Sequence, residues 1–355
     1  MDKWKKLTAS LLGPAAAIAL GLLAGSIAIV IAGGSILETY AEMWKGAFGS
    51  LYFLTSTLNR ATPVILVGLG AAVAFRSGFF NLGAQGQMAL GGLAAALTAL
   101  YVPGPGWIVA IVSMLVGIAA GGLWSAFAGY MDARFRMNLL ITTLLLNYIA
   151  TLFASYMVAY PFKDKTGSAA MAQSQMIDNA IWLPKLFKGM PAHVGLLLAL
   201  VAMVALYVYL TRTVSGYEAR MMGGNPLFAV YGGVRRTPLM LGVMFASGGL
   251  AGLAGAGEVL GSQYRYIDNS FVAADFAWTG IMAALLANAH PIGTAIAAFF
   301  LVALQTGGMG VEMNTDVPLE IGDVIQAVLI LFITVKFVRG FRRRRKEGDP
   351  NGAAV

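Results

Sequence analysis

The chain has 355 residues, 58% hydrophobic and 11% charged, with 44 glycines, no cysteine, two histidines and a formal net charge of +8. An average soluble domain carries about 25% charged residues, so this composition excludes a water-covered globular surface and fits closely packed helices in a lipid bilayer. Disulfides, thiol catalysis and thiolate metal sites are excluded as well, and the positive charge traces to a terminal basic run, not to a nucleic-acid-binding surface.

Lys3, Lys5 and Lys6 precede the first apolar stretch, residues 9–33. That stretch exceeds the roughly 7–15 residues of a signal-peptide core, so it reads as an uncleaved first helix. Further stretches of spanning length fall at about 52–75, 86–101, 107–129, 138–160, 193–210, 238–256, 271–288, 292–310 and 323–339. Ten spans are therefore expected in an all-α polytopic membrane protein. The third and eighth are short or glycine-interrupted, which predicts a broken or tilted course.

Charge supports this count. With both termini cytoplasmic, the inner segments hold Arg76, Arg134, Arg136, Arg212, Arg220, Arg235 and Arg236 besides both terminal basic clusters; the outer segments hold few bases, among them Lys45 and Arg60. This is the positive-inside pattern. It makes 1–340 one transmembrane domain with a cytoplasmic loop at 211–237, and 341–355 a basic cytoplasmic tail containing Arg342-Arg343-Arg344-Arg345-Lys346. Two outer loops are expected, 161–192 with three prolines and the acidic 311–322. The proline-turn hairpins Ala94 to Met114 and Met282 to Ala303 sit five spans apart, as an inverted repeat requires.

Catalytic signatures are missing. There is no GxxxxGK[ST] phosphate loop, no HExxH and no GxSxG. No acid falls in the middle of an expected span, which disfavours a proton- or sodium-coupled carrier. Energy for uphill movement would then come from another subunit.

The fifth span carries Thr143, Asn147, Thr151 and Ser155 at four-residue steps, on one helix face. Such a stripe avoids lipid, and it either bonds helices together or lines a polar path. Asn81, Gln85 and Gln87 at the start of span three, and Gln305 and Thr306 in span nine, are further polar candidates. His290-Pro291 reads as a helix start. Gly117 with Gly121, and Gly248 with Gly252, read as small-residue packing contacts.

The loop 211–237 has the grammar of two short helices. Ser215 and Glu218 form a capping box, and Asn225-Pro226 is a cap followed by proline at the first helical position. Gly223-Gly224 and Gly232-Gly233 are stop signals. Met221, Met222, Leu227, Phe228, Val230 and Tyr231 lie between them, giving an apolar face suited to the bilayer surface or to a groove on a cytoplasmic partner.

Four segments together resemble a known family. Phe75-Arg76-Ser77-Gly78-Phe79-Phe80-Asn81-Leu82-Gly83-Ala84-Gln85-Gly86-Gln87 is similar to a block of bacterial ABC importer permeases for nucleosides, relatives of the ribose and branched-chain amino acid permeases. Thr143 to Ile149 and the segment Glu218 to Gly233 resemble two further blocks, and His290-Pro291-Ile292-Gly293 a fourth. Gln85 stands where that pattern commonly has Glu. The resemblance implies a type II importer fold of about ten helices, with no cofactor in this chain. It also implies a second permease subunit, homo- or heterodimeric, an ATP-binding subunit that carries ATP and Mg²⁺, and an extracytoplasmic substrate-binding protein. Expected path residues are then Asn81, Gln85, Thr143, Asn147, Thr151 and Ser155; expected coupling residues are Ser215, Glu218, Arg220, Asn225, Pro226, Phe228 and Tyr231. The cargo implied is a nucleoside, with a ribose-like sugar as the alternative, and the location is the bacterial cytoplasmic membrane. A stand-alone carrier or channel is the competing class.

Overall fold

Backbone groups in hydrocarbon must find partners inside their own segment, which favours helices. The computed structural model describes residues 21–165 and 171–315, together with 322, 324, 325, 327 and 328. Among the described residues the regular structure is helical apart from two isolated bridges, Gln173 with Ile267 and Lys185 with His193. The start of the first expected span, most of the tenth, most of the acidic loop and the basic tail lie outside the described residues.

Two compact units divide the chain, Met1–Leu54 with Ala303–Val355 and Thr55–Val302. In the first, α1 is described from Gly21 to Ile31 and turns by 116° into α2, Ile36–Phe48. Gly33 makes this turn in the left-handed region at φ +81°. The interval between the first two expected spans, which the sequence left outside any span, is thus helical, and its charges include the i,i+3 pair Lys45 to Glu42 at 2.6 Å. Tyr40 fastens the bend by donating to the Leu22 carbonyl at 2.5 Å. Farther along, α2 lies against residues 307–310, where Gly46 and Gly310 bring the backbones together.

The second unit contains α3 from Thr55 on (Leu51–Arg76 overall), α4 (Ala84–Tyr101), α5 (Gly106–Phe135), α6 (Leu139–Ala159) and α7 (Gly195–Arg212). After these come the short α8 (Val214–Gly224) and α9 (Pro226–Tyr231), α10 (Arg236–Glu258), α11 (Ser270–Ala273), α12 (Phe276–Leu286) and α13 up to Val302 (Pro291–Asn314 overall). Among the described residues six helices are long and apolar enough to cross a membrane, or seven if the bent α1–α2 pair counts as one span.

At the centre of this unit, α4 packs against α5, α6 and α10. Its sequence explains this position, because Ala and Gly all round the helix let three neighbours approach at backbone distance. A Cβ on Gly91 would strike Gly252 of α10, and Gly117 and Gly121 of α5 meet Gly248 and Gly252 in the same way. The glycine pairs are internal packing contacts. Of the broken or tilted course expected for the third segment, the break does not occur: α4 is one continuous helix. The eighth segment is broken, into α11 and α12, with Asp275 in the left-handed region at the junction.

Two further expectations need correction. Arg60 lies inside α3 and not in an outer loop. Helix α10 does not stop before Glu258; it runs through it and continues as a π turn, Val259–Gln263. A charge ends an apolar window in the sequence, but it does not end a helix whose neighbours supply polar partners.

Candidate functional site

The segment 75–87 joins α3 to α4. Gly78 turns the chain at φ +77°, and α4 begins at Ala84 after Gly83, a cap residue without a side chain. The first N–H groups of a helix need partners from elsewhere, and other elements provide them. The Asn147 side-chain oxygen accepts from Gly86 N–H, and Thr143 Oγ1 accepts from Leu82 N–H at 3.2 Å. Asn81 is the knot between these strands of chain. Its oxygen accepts from Gly83 N–H at 3.0 Å and from Gln87 Nε2 at 2.9 Å, and its nitrogen donates to Gln87 Oε1 and to Ser247 Oγ of α10, each at 2.9 Å.

Three of the expected path residues, Asn81, Thr143 and Asn147, are thus buried and engaged with backbone or with each other's neighbours. Replacing Asn147 with leucine leaves Gly86 N–H buried without an acceptor. That should cost about 1–3 kcal/mol, and thermal unfolding of the purified permease in detergent would register it as a lower midpoint before any change in solute affinity.

The other half of the stripe has different surroundings. Thr151, Ser155 and Gln85 line a cavity of about 20 Å³ with Tyr266, Asp268 and Asn269, large enough for a single water. Ser155 Oγ donates to Asp268 Oδ1 at 2.5 Å. Tyr266 is buried, and burial followed by the charge of Asp268 raises its phenol above the ordinary range. These three residues were not singled out from sequence; the cluster Tyr264-Arg265-Tyr266-Ile267-Asp268-Asn269 directly after an apolar span was the available signal.

The strand-like segment 264–268 is held by the loop that precedes α7. Ser174 N–H donates to the Tyr266 carbonyl and Ile177 N–H to the Tyr264 carbonyl, both at 2.9 Å. Trp182 stacks on Tyr264 with ring centroids 3.8 Å apart. Tyr264 and Asn269 both have φ near +58°, costly for a tyrosine, so the segment keeps its shape through this covering. His193, at the end of the loop, is 2% exposed, with its ring between Gly195 and Gly261. Burial, then the Lys185 charge, lowers its pKa to about 4, which keeps the imidazole neutral. Its Nδ1 accepts from Gly195 N–H at 3.0 Å.

At the opposite end, the loop 211–237 forms α8 and α9. The N-cap of α8 is Thr213, whose Oγ1 accepts from Gly216 N–H at 3.0 Å. Ser215 is therefore not the cap residue; it lies inside the first turn and pairs with Tyr209 Oη at 3.0 Å, so the expected Ser215–Glu218 capping box does not form. Asn225 caps α9 as expected, accepting from Phe228 N–H at 3.1 Å, with Pro226 at the first helical position. Gly232 and the left-handed Gly233 end it. Arg220 lies over the Tyr217 ring at 5.9 Å.

The two faces of this element differ. Ala219, Met222 and Ala229 are buried, and Gly223 rests on the Arg76 carbonyl, so α8 sits directly on the segment 75–78. On the other face Phe228 is 64% and Tyr231 91% exposed, one helical turn apart. Block 75–87 therefore touches α8 at one end and α6 at the other, so that three segments far apart in sequence form one connected body.

At the start of α13, His290 Nδ1 accepts from Gly293 N–H at 3.3 Å, which is the helix start expected there.

The chain matches the model of the family described as branched-chain amino acid transport system / permease component over residues 53–334. The guanosine ABC transporter permease protein NupP of Bacillus subtilis is 33% identical over 96% of this chain and 99% of its own length. The glucose ABC transporter permease protein TsgB13 of Haloferax volcanii is 33% identical over 93% of this chain and 88% of its own. The nucleoside ABC transporter permease protein NupB of Lactococcus lactis is 30% identical over 93% and 92%. No solved structure matches this chain. A match over most of the helical region, joined to relatives aligned nearly end to end, places the chain in the branched-chain amino acid transport system permease family, as a membrane-spanning ABC transporter permease subunit.

Proposed function

We propose that this subunit moves nucleosides into a bacterial cell across the cytoplasmic membrane, driven by ATP hydrolysis on a separate subunit. The observation that carries the cargo is the end-to-end similarity to relatives named for guanosine and for nucleosides. The glucose-named relative, equally identical, favours a sugar as the second reading. Partners are an ATP-binding subunit holding ATP and Mg²⁺, a second permease subunit, and an extracytoplasmic substrate-binding protein.

The exposed apolar face of α9 supports the first of these partners, since two aromatic anchors one turn apart suit a groove. Ser215, Glu218, Arg220, Asn225, Pro226, Phe228 and Tyr231 belong to that coupling element. Within the membrane, Gln85, Thr151 and Ser155 face the small polar cavity and are assigned to the path. Asn81, Thr143 and Asn147 set the position of α4 beside it.

The test is uptake of radiolabelled guanosine by the complete complex in proteoliposomes, with ATP inside and the binding protein outside. Competition by unlabelled nucleosides, and none by ribose or glucose, is the expected result. Competition by the sugars alone would transfer the assignment to the second reading.

A further inference from the structure

Helix α7 runs into the α8–α9 element and α10 runs out of it, yet a groove of about 540 Å³ lies between the two. Small residues leave it open. On α10 they are Gly242, Ala246 and Gly249, and on α7 they are Ala202 and Ala205, each set on one helix face. Gly248 and Gly252 of α10 press on the backbone of α5, but a Cβ on Gly242 would meet nothing within 4 Å. Val73 of α3 and Ile118 of α5 complete an apolar lining. Among the described lining residues only Tyr209 has a polar side chain, and its hydroxyl is already paired with Ser215 at 3.0 Å. A nucleoside or a sugar would find no hydrogen-bond partner here, so the groove is not a cargo site.

Length and charge say what fits it. From Gly242 to Leu253 the groove follows α10 for about 16 Å, at a rise of about 1.5 Å per residue. That is half of a hydrocarbon core about 30 Å thick, the depth of one leaflet. The Gly242 end carries Arg212, Arg220, Arg235 and Arg236, which makes that leaflet the inner one by the positive-inside rule. Both walls run on into arginine. Arg212 lies three residues past Tyr209 on the same face of α7, and Arg235 lies seven residues before Gly242 on the same face of α10. Both are exposed. Arg236 is committed to Asp132 at 3.3 Å, whereas among the described residues Arg212 and Arg235 have no ion pair.

We propose that the groove between α7 and α10 binds an anionic glycerophospholipid of the inner leaflet, with an acyl chain along the groove and the phosphate between Arg212 and Arg235. An apolar slot one leaflet deep suits an acyl chain. A helix of another subunit would cross both leaflets and extend beyond Leu253, where the groove ends. Two unpaired guanidinium groups at the mouth select an anionic headgroup over a zwitterionic one, whose ammonium would meet the same positive charges. Because Tyr209 in the groove wall holds Ser215, the bound lipid braces the junction of α7 with α8. The proposal does not depend on the identity of the cargo.

The test titrates the assembled, delipidated complex in detergent with phosphatidylglycerol, with phosphatidylcholine of the same acyl chains, and with inorganic phosphate. Native mass spectrometry counts bound lipid, and the thermal midpoint is followed in parallel. Phosphatidylglycerol should bind saturably and raise the midpoint, phosphatidylcholine should bind about 30-fold more weakly, and inorganic phosphate should not shift the midpoint. Arg212→Gln with Arg235→Gln should weaken phosphatidylglycerol binding by about the same factor; both residues are exposed, so the lipid-free midpoint should stay where it was. Ala246→Trp, which fills the groove, should remove the site for both lipids, whereas Val201→Trp, at a position 64% exposed and outside the lining, should keep it. Equal affinity for the two lipids, or full phosphatidylglycerol binding by the double glutamine variant, would overturn the proposal. So would a midpoint shift with inorganic phosphate alone, which marks a free-anion site, or loss of the second permease subunit from the Ala246→Trp complex, which marks a subunit interface.

Discussion

Replacing Gly252 with valine should abolish the folded permease. A Cβ at this position would overlap the Gly117 carbonyl of α5, and Gly91 of α4 presses on the same residue from another side. The obstructing atoms are backbone in two helices, so no flexible side chain can swing away to make room. Overpacking ordinarily costs about 1–3 kcal/mol and more where, as here, only backbone could yield, and separating α4 and α5 from α10 also opens the Asn81–Ser247 bond. Size-exclusion profiles after detergent extraction should show aggregation or loss of protein. Gly242→Ala on the same helix, where a Cβ meets nothing within 4 Å, should leave the profile unchanged. A monodisperse, thermally normal Gly252→Val protein would refute the close-packed arrangement of the three helices.

Truncating both aromatics of α9 should release the energy-supplying subunit. Phe228 and Tyr231 contact little within their own chain, so Phe228→Ala with Tyr231→Ala should leave the helices intact. Loss of a buried aromatic anchor typically costs about 2–4 kcal/mol of association, and two together would reduce affinity by a factor on the order of 10³ or more. Co-purification with the ATP-binding subunit is the measurement, with thermal unfolding of the permease as the folding control. Stoichiometric recovery of the partner with uptake at the unmodified rate would refute the docking assignment and leave α9 as a helix lying on the bilayer.

The long apolar helices were legible because a single physical term dominates them. The expected 52–75 and 138–160 became Leu51–Arg76 and Leu139–Ala159, and Asn138 marks the second start with a side chain that accepts from Leu140 and Ile141 N–H. Reading failed where a local signal competes with a tertiary one. The α2 segment looked like a loop because it is short and charged, yet its apolar positions fall on one face. Thr213 and Ser215 are both acceptable caps in sequence, and the choice depends on where α7 ends. Glu258 lay past the expected end of its span, and Arg60 was counted with the outer charges, because the tertiary neighbours of a charge leave no trace in the local pattern. The polar stripe was found, but its division into backbone-holding and cavity-lining halves depends on the course of 80–86 and 264–269. Neither course is encoded in the spacing along α6.

The N-terminus of α4 is completed by groups from elsewhere: Thr143 and Asn147 come from α6, and Asn81 is fixed by Ser247 of α10. A ribosome releases α4 well before either of those helices exists. During synthesis this glycine- and alanine-rich helix therefore enters the insertion machinery with open backbone donors and little apolar bulk, and poor intrinsic partitioning follows. Its final depth is set only once α10, more than 140 residues later in the chain, arrives to close the knot, so a nascent chain cut short before Ser247 would leave its central helix only partly secured.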